Sequence, residues 1–338
     1  MKDGKFLTLG IESSCDETAA AVVADGRQML SNVISTQIEI HKQYGGVVPE
    51  IASRHHLTNI NRVIEQALVE ADVTMDQIDL IGVTYGPGLV GALVIGIAAA
   101  KAISFAKDKP LVGVNHMYGH VSSNFITYPE LKPPFISLVV SGGHTNIIEM
   151  TDYTKCNVIG ATRDDAVGEA YDKVARVIGL GYPGGPKIDK LAKEGNPDAI
   201  EFKRVYLEKG SYDFSFSGLK TSVLNYVNRM RQKGQEINNA DIAAGFQQAV
   251  IDVLVDKAVS CVKEKNYDKL VLAGGVGANS KLREVLTDRC NKEGIDLYIP
   301  DRGLCTDNAA MIAVAAYYKY KAHGADDLYL DADPGLSF

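Results

Sequence analysis

His116 and His120 stand four residues apart in a segment of helical character, so their imidazoles share one face of a helix, one turn apart. That geometry suits two ligands of a single metal ion, and it equally suits two polar residues on a helix surface. The zinc-protease pattern needs a glutamate directly after its first histidine as general base. Met117 stands there, which removes the base from that reading. A metal on two histidines requires a further ligand. Asp307, within Cys305-Thr306-Asp307-Asn308, is a candidate, and two imidazoles with one carboxylate suit Fe(II) or Zn(II). An aspartate just before an apolar helix is also a good N-cap, and capping alone accounts for it.

Several loops can hold anions or sugars. In Ser141-Gly142-Gly143-His144-Thr145 the paired glycines allow backbone amides to approach a phosphate, or simply make a hairpin turn. Gly274-Gly275-Val276-Gly277-Ala278-Asn279 lies between a buried strand and a helix, where a flat or phosphorylated ligand can meet a helix N-terminus. The glycines lack the G-x-G-x-x-G spacing, which disfavours a dinucleotide fold. Asn279 reads as a helix cap or as a base or ribose contact. Asp172 and Asp189 flank Tyr182-Pro183-Gly184-Gly185-Pro186, and a carboxylate there can accept both hydroxyls of a ribose. Glu12 and Asp16 make a first loop acidic, suited to a metal, to water, or to plain solvation. Two basic stretches, Lys220 to Lys233 and Arg54 to Arg62, read as solvated helix faces or as contacts for RNA.

These residues must be positioned by an α/β architecture. Phe6–Ile11 reads as a buried strand, followed by the acidic loop and a second apolar run, Ala19–Val23. The same pattern recurs as Phe135–Val140, the glycine loop, and Asn146–Met150, which indicates an internal duplication. Helices are expected over Ile51–Ala71, Leu89–Ala106, from near Asn115, across much of Asp164–Gln235, and from Asp307 to before Gly324. With 338 residues the chain suits two domains, expected as 1–115 with 301–338, and 116–300.

Composition excludes some classes. Five scattered cysteines with no CxxC pair argue against a disulfide framework or a cysteine-bound zinc, and for a reducing compartment. The start of the chain does not read as a signal peptide. The longest apolar run, Leu89–Ala100, falls short of the ~20 residues of a membrane span and reads as a buried core helix. A soluble cytoplasmic enzyme without membrane attachment is expected. A net charge of −7 means that any RNA contact is a local patch or is shared with partner proteins.

The order of these pieces resembles the actin/hexokinase/Hsp70-like superfamily. Within it, Gly10-Ile11-Glu12-Ser13-Ser14-Cys15-Asp16-Glu17-Thr18, Asn115-His116-Met117-Tyr118-Gly119-His120, Ser141–Thr145, Gly168-Glu169-Ala170-Tyr171-Asp172-Lys173 and Cys305–Asn308 are similar to the signatures of bacterial TsaD (YgjD) proteins, across essentially the whole chain. The resemblance implies two related actin/hexokinase-like lobes with a nucleotide cleft between them. It implies transfer of a threonylcarbamoyl group from threonylcarbamoyl-AMP to N6 of adenosine 37 in tRNAs reading codons that start with A. It further implies one Fe(II) or Zn(II) ion on His116, His120 and Asp307, and an adenylate held by Val139, Val140, Ser141, Gly142 and Gly143 with Asp172, Gly185, Asp189 and Asn279. Its implied partners are tRNA, a TsaB-like paralogue and a TsaE-like ATPase. An activated donor needs no enzyme nucleophile. The exocyclic amine is a weak one, so a general base would help, and Glu12 is the candidate. The rival readings are a sugar or acyl kinase, which has no use for the paired histidines, and a nucleotide-dependent scaffold without catalysis.

Overall fold

The structure, a computed structural model, describes residues 4–338. The chain divides into two compact units, one of Met1–Pro133, Met150–Cys156 and Pro300–Phe338, the other of Pro134–Glu149 and Asn157–Ile299.

The first unit carries strands β1 (Leu7–Glu12), β2 (Glu17–Ala24), β3 (Gln28–Thr36), β4 (Leu80–Gly86) and β5 (Leu111–Asn115). Its helices are α1 (Ile38–His41), α2 (Pro49–Glu70), α3 (Val90–Lys107), α4 (His116–Ser122) and α5 (Asn124–Thr127), joined late in the chain by α11 (Arg302–Cys305) and α12 (Ala309–His323). The second unit carries β6 (Phe135–Val140), most of β7 (Thr145–Asp152) and of β8 (Lys155–Ala161), whose joining ends, Met150–Cys156, group with the first unit, and β9 (Lys269–Ala273) and β10 (Asp296–Tyr298). Its helices are α6 (Val167–Val177), α7 (Gly184–Ala192), α8 (Ser217–Gln232), α9 (Asn239–Glu264) and α10 (Ser280–Glu293).

The sheet orders are β3-β2-β1-β4-β5 and β8-β7-β6-β9-β10. Position by position they are the same topology, so the repeated hairpin seen in the sequence is the visible part of a repeat of whole sheets. In the first sheet β1 pairs antiparallel with β2 and parallel with β4, and β4 runs parallel to β5. In the second, β6 and β10 both run parallel to β9.

Small residues decide how closely α12 lies on the first sheet. Its buried stretch is Ala309–Ala316, and it faces glycines in the strands. A Cβ at Gly10 would strike the Ala309 carbonyl and Ala313, and one at Gly82 would strike Ala316. α4 in turn packs on α12, with Gly119 against Ile312 and Met311. That packing explains why residues 116–133, expected with the second domain, are grouped with the first unit.

Two further expectations change. Residues 193–216 form no helix, although the region from Asp164 was read as largely helical. Gly195-Asn196-Pro197 breaks the pattern, and Gly195 lies against the Ala240–Asp241 backbone where no side chain fits. α3 is buried on one face only. Ala92, Leu93, Gly96, Ile97 and Ala100 face inward, while Val90, Val94 and Phe105 are exposed, Phe105 at 79%. By length and composition alone α3 could cross a membrane, but its inner face is built into the packing of β4 and α2.

Candidate functional site

Asn115 ends β5 and starts α4, where its side-chain oxygen accepts from the Met117 amide at 2.9 Å as the N-cap. The next turn presents His116 and His120, 8% and 1% exposed, with ring centroids 4.6 Å apart. The N-terminal end of α12 meets the same point. Its cap is Asn308, whose side-chain oxygen accepts from the Met311 amide at 3.0 Å. The capping alternative for Asp307 therefore falls away, and its Oδ1 lies 3.4 Å from Nε2 of both histidines. One ligand atom from each of the three residues lies within 4.8 Å of the others.

The residues fit a metal ion on a further ground. Neither ring nitrogen of His120 makes a well-formed hydrogen bond, although both are buried. Buried imidazole nitrogens are normally satisfied, and a ligand at Nε2 would satisfy one of them. His116 is oriented from behind, with its Nδ1 3.0 Å from Glu12 Oε2 and 3.2 Å from Ser14 Oγ. A carboxylate on the far nitrogen fixes the tautomer and leaves Nε2 free for a metal.

Glu12 is itself fully enclosed. Oε1 accepts from the Ser14 amide and Oε2 from Thr84 Oγ1, each at 2.5 Å. These contacts aim both oxygens into the protein, toward His116 and not toward open space. Ser14 and Thr84 carry no role in the sequence reading beyond membership of matched motifs, since a serine in a polar loop and a threonine in a strand give no signal of their own.

Burial disfavours charge throughout this cluster, yet the groups sustain one another. Burial opposes ionisation of Asp307, but His116 and then His120 hold its carboxyl well below the usual range. Burial also works against the charged Glu12, and the His116 charge and hydrogen bond keep that carboxyl low. His116 is pushed well above its ordinary value, because Glu12 and then Asp307 outweigh burial. For His120 burial dominates and lowers it. The proton on His116 thus supplies the positive charge that a cation would bring, and metal binding must displace it. Beside the cluster, burial and then the charges of Asp307 and Asp16 push the Glu17 carboxyl up to about 10.

His56, read as part of a basic stretch, is buried and its pKa is lowered by that burial. It pairs with Thr18 Oγ1 at 2.7 Å, and its Nε2 lies 2.9 Å from the Cys15 carbonyl. It braces the acidic loop and contributes nothing to a surface patch.

In the second unit the glycine loops gather at the carboxyl ends of the parallel strands β6 and β9, the usual place for ligands in such sheets. Val139 and Val140 are buried in β6, and Gly274, at φ +89°, presses on the Val140 carbonyl. The Gly168 amide donates to the Ser141 carbonyl at 3.1 Å, bringing α6 to the loop. Side chains added at Gly142, Gly143, Gly185 or Gly275 would meet only open space.

The polar residues of this unit hold the loops in shape. Asp172 accepts from the Gly184 amide at 2.6 Å. Asp189 accepts from the Ser280 amide at 3.1 Å and from its hydroxyl at 3.0 Å. Asn279 caps α10 through the Leu282 amide at 2.9 Å and donates to Gln247 Oε1 at 2.8 Å. Gln247 also reaches Asp189 at 3.4 Å. It lies in the middle of a long apolar helix, where only the structure reveals that it joins Asn279 to Asp189.

The family model "TsaD: tRNA N6-adenosine threonylcarbamoyltransferase" matches residues 28–314. Proteins named tRNA N6-adenosine threonylcarbamoyltransferase are similar over nearly the full length. One from Clostridium botulinum (strain Kyoto / Type A2) is 58% identical, covering 97% of this chain and 96% of its own. One from Clostridium kluyveri (strain ATCC 8527) is 59% identical, covering 99% and 98%. Among solved structures, full-length HypF in its phosphate- and nucleotide-bound form aligns with a TM-score of 0.63 at 15% identity, over 95% of this chain and 56% of that longer one. The (R)-2-hydroxyglutaryl-CoA dehydratase component A of Acidaminococcus fermentans aligns at 0.54 and 17%, over 94% and 99%. At such identities the likeness concerns the fold alone. The chain belongs to the TsaD family, the tRNA N6-adenosine threonylcarbamoyltransferases, and is an enzyme that places a threonylcarbamoyl group on N6 of an adenosine in tRNA.

Proposed function

We propose that the donor is threonylcarbamoyl-AMP, that the acceptor is adenosine 37 of tRNAs reading codons that start with A, and that a single Fe(II) or Zn(II) ion on His116, His120 and Asp307 serves the transfer. The observation that carries this reading is the convergence of the three ligand atoms within 4.8 Å on a buried site whose His116 is backed by Glu12. In the second unit, the backbone from Val139 to Gly143, with Gly185, Asp172, Asp189 and Asn279, is assigned to the adenylate part of the donor; the Ser141 amide itself donates to the His144 carbonyl at 2.8 Å. The open space beside Gly142, Gly143 and Gly185 supports that assignment.

The donor is a mixed carbamic–phosphoric anhydride. The adenine N6 attacks its carbamoyl carbon, the bond from that carbon to the phosphate oxygen breaks, N6 loses one proton, and AMP leaves. A bound metal ion would supply Lewis-acid polarisation of donor oxygens. The chain's own residues orient and exclude water. His116 is kept in one tautomer by Glu12, and the backbone amides of the glycine loop stabilise the phosphate charge that grows as AMP departs. Glu12 works through His116, because its oxygens are already committed to Ser14, Thr84 and His116. That assignment replaces a general-base role with a positioning one.

For partners, the exposed apolar residues Leu57 and Val69 on α2 and Val90, Val94 and Phe105 on α3 lie on two helices packed together. A TsaB-like paralogue is the proposed occupant of that face, and a TsaE-like ATPase a further partner in the cytoplasm. Contacts to tRNA are assigned to α8, a segment with no acidic residue between Ser217 and Lys233. Lys220 is paired with Asp165 at 2.8 Å, so Arg229 and Arg231, both exposed near the end of α8, are the effective charges.

The test is mass spectrometry of nucleosides from unmodified tRNA incubated with threonylcarbamoyl-AMP, this protein and its partners. Wild type is expected to yield threonylcarbamoyladenosine, and His116→Ala to lose both product and bound metal. A metal-free His116→Ala protein that transfers at the wild-type rate would overturn the metal assignment, and no product with wild type would overturn the donor.

A further inference from the structure

The segment 326–338 carries none of the motifs that point to chemistry, yet it is hydrogen-bonded to the rest of its unit at Asp326, Asp333, Pro334 and Ser337. Asp326 anchors it on β5. Its amide donates to the Leu111 carbonyl, and its Oδ2 accepts from the Gly113 amide, each at 2.8 Å. Beyond this anchor the chain reaches the ends of β4 and β5, and β5 leads directly into α4 with its two histidines.

It is bonded to two places that lead to the candidate metal centre. At the first, the Asp333 amide donates to the Tyr85 carbonyl at 2.8 Å, and the Gly88 amide to the Pro334 carbonyl at 3.3 Å. The fit is close, because a Cβ at Gly86 would strike the Asp333 carbonyl. This turn is bonded onward, from the Leu89 amide to the Ser14 carbonyl at 2.8 Å, and Ser14 Oγ contacts His116 Nδ1 at 3.2 Å. At the second, Asn115 uses both ends of its amide. Its oxygen caps the first turn of α4 while its Nδ2 donates to the Ser337 carbonyl at 2.8 Å. The Phe338 ring lies 5.5 Å from that of Tyr118, between the two histidines on α4.

We propose that residues 333–338 form a strap that positions α4, with Asn115 as its joint, so that His116 and His120 are held at metal-binding distance from Asp307. α4 is only seven residues long, too short to hold its own geometry in water, and its first turn is where the strap attaches. Asn115 and the strap are positioning elements, acting on the reaction through the histidines. The inference rests on the reading that His116, His120 and Asp307 bind a metal.

The test measures Zn²⁺ affinity by competition with a chromophoric chelator, and the visible spectrum of the Co²⁺-loaded full chain. Three proteins are compared with wild type: one ending at Ala332, Asn115→Ser, and the combination. Serine keeps the cap on α4 but does not reach Ser337. Residues that orient metal ligands typically change affinity by about 10–100-fold, and about tenfold weaker Zn²⁺ binding is expected for each single change. The combination is expected to be no worse than the shortened chain, since the Asn115 bond to Ser337 is already lost when the chain is shortened. The Co²⁺ bands are expected to shift in all three. Wild-type affinity and an unshifted Co²⁺ spectrum in a folded shortened chain, with only a lower melting temperature, would overturn the proposal. If the shortened chain does not fold, Asn115→Ser decides alone, by the same two readouts. Failure of wild type itself to bind Zn²⁺ would overturn the metal reading, a result distinct from equal binding by all four proteins.

Discussion

Glu12 shows how a side chain's partners, more than its type, set its work. Read in sequence, a carboxylate in a loop ahead of a glycine-rich site is as good a base as any. In the folded chain three donors surround it, and the one that matters is His116. Glu12→Gln is nearly isosteric but cannot hold the His116 proton in the same way. Metal affinity is expected to fall about 10–100-fold, while single-turnover transfer at saturating metal stays within a few fold of wild type. A collapse of that rate with metal still bound would return Glu12 to the role of base. Glu17 gives a pH signature. Its carboxyl is raised from 4.5 to about 10 in the folded chain, so between those values the native state keeps a proton that the unfolded chain releases. Stability then falls as pH rises. The raised His116 adds to the same trend. Melting temperatures of the metal-free protein are expected to decline from pH 6 to pH 9, and less steeply in Glu17→Gln. Equal slopes in both proteins would contradict the assignment. At this scale type and spacing pointed to His116 and His120, and the family resemblance added Asp307. Type and spacing alone left Asp307 undecided because a cap and a ligand use the same oxygen, and the matter turned on Asn308 taking the cap one residue later.

The elements were easier to read than their contacts. Hairpins, parallel strands and the long helices follow from hydrophobic period and from glycine and proline punctuation. The buried side of α3 does not, because an apolar helix gives no periodic contrast between its faces. Gln247 escaped notice for a related reason: a polar residue inside an apolar helix identifies itself only through its neighbours. Glycines sort into two kinds once the packing is known. Gly10 has the Ala309 carbonyl where a Cβ would go, whereas Gly142 has open space. Gly10→Ala is expected to destabilise by about 1–3 kcal/mol through overpacking, seen as a fall of about 2–10 °C in melting temperature. Gly142→Ala is expected to leave the melt unchanged and to weaken adenylate binding, measured by calorimetry with AMP. A reversed pattern would mean that the α12 packing tolerates what the loop does not.

On the scale of the whole molecule, the net charge of −7 makes α8 an exception worth testing, since the substrate is a polyanion. Arg229→Glu with Arg231→Glu is expected to lower tRNA affinity and to flatten its dependence on salt, the log–log slope falling by about one for every phosphate that is no longer neutralised. An unchanged slope in filter binding across salt concentrations would place the tRNA elsewhere. The shared topology of the two sheets has a further consequence, one of ancestry and division of labour. The loop after β1 and the loop after β6 occupy the same slot in the two copies. One copy ends its strand on Glu12, which backs an imidazole, and carries Asp16 just beyond; the other carries Gly142 and Gly143, beside which there is open space. A half-length ancestor paired with itself would have carried the same loop twice and so favoured one sign of charge in both places. Once the two copies shared a chain, each turn could drift without its twin, and a single chain came to hold an acidic turn behind a histidine in one unit and a glycine turn in the other.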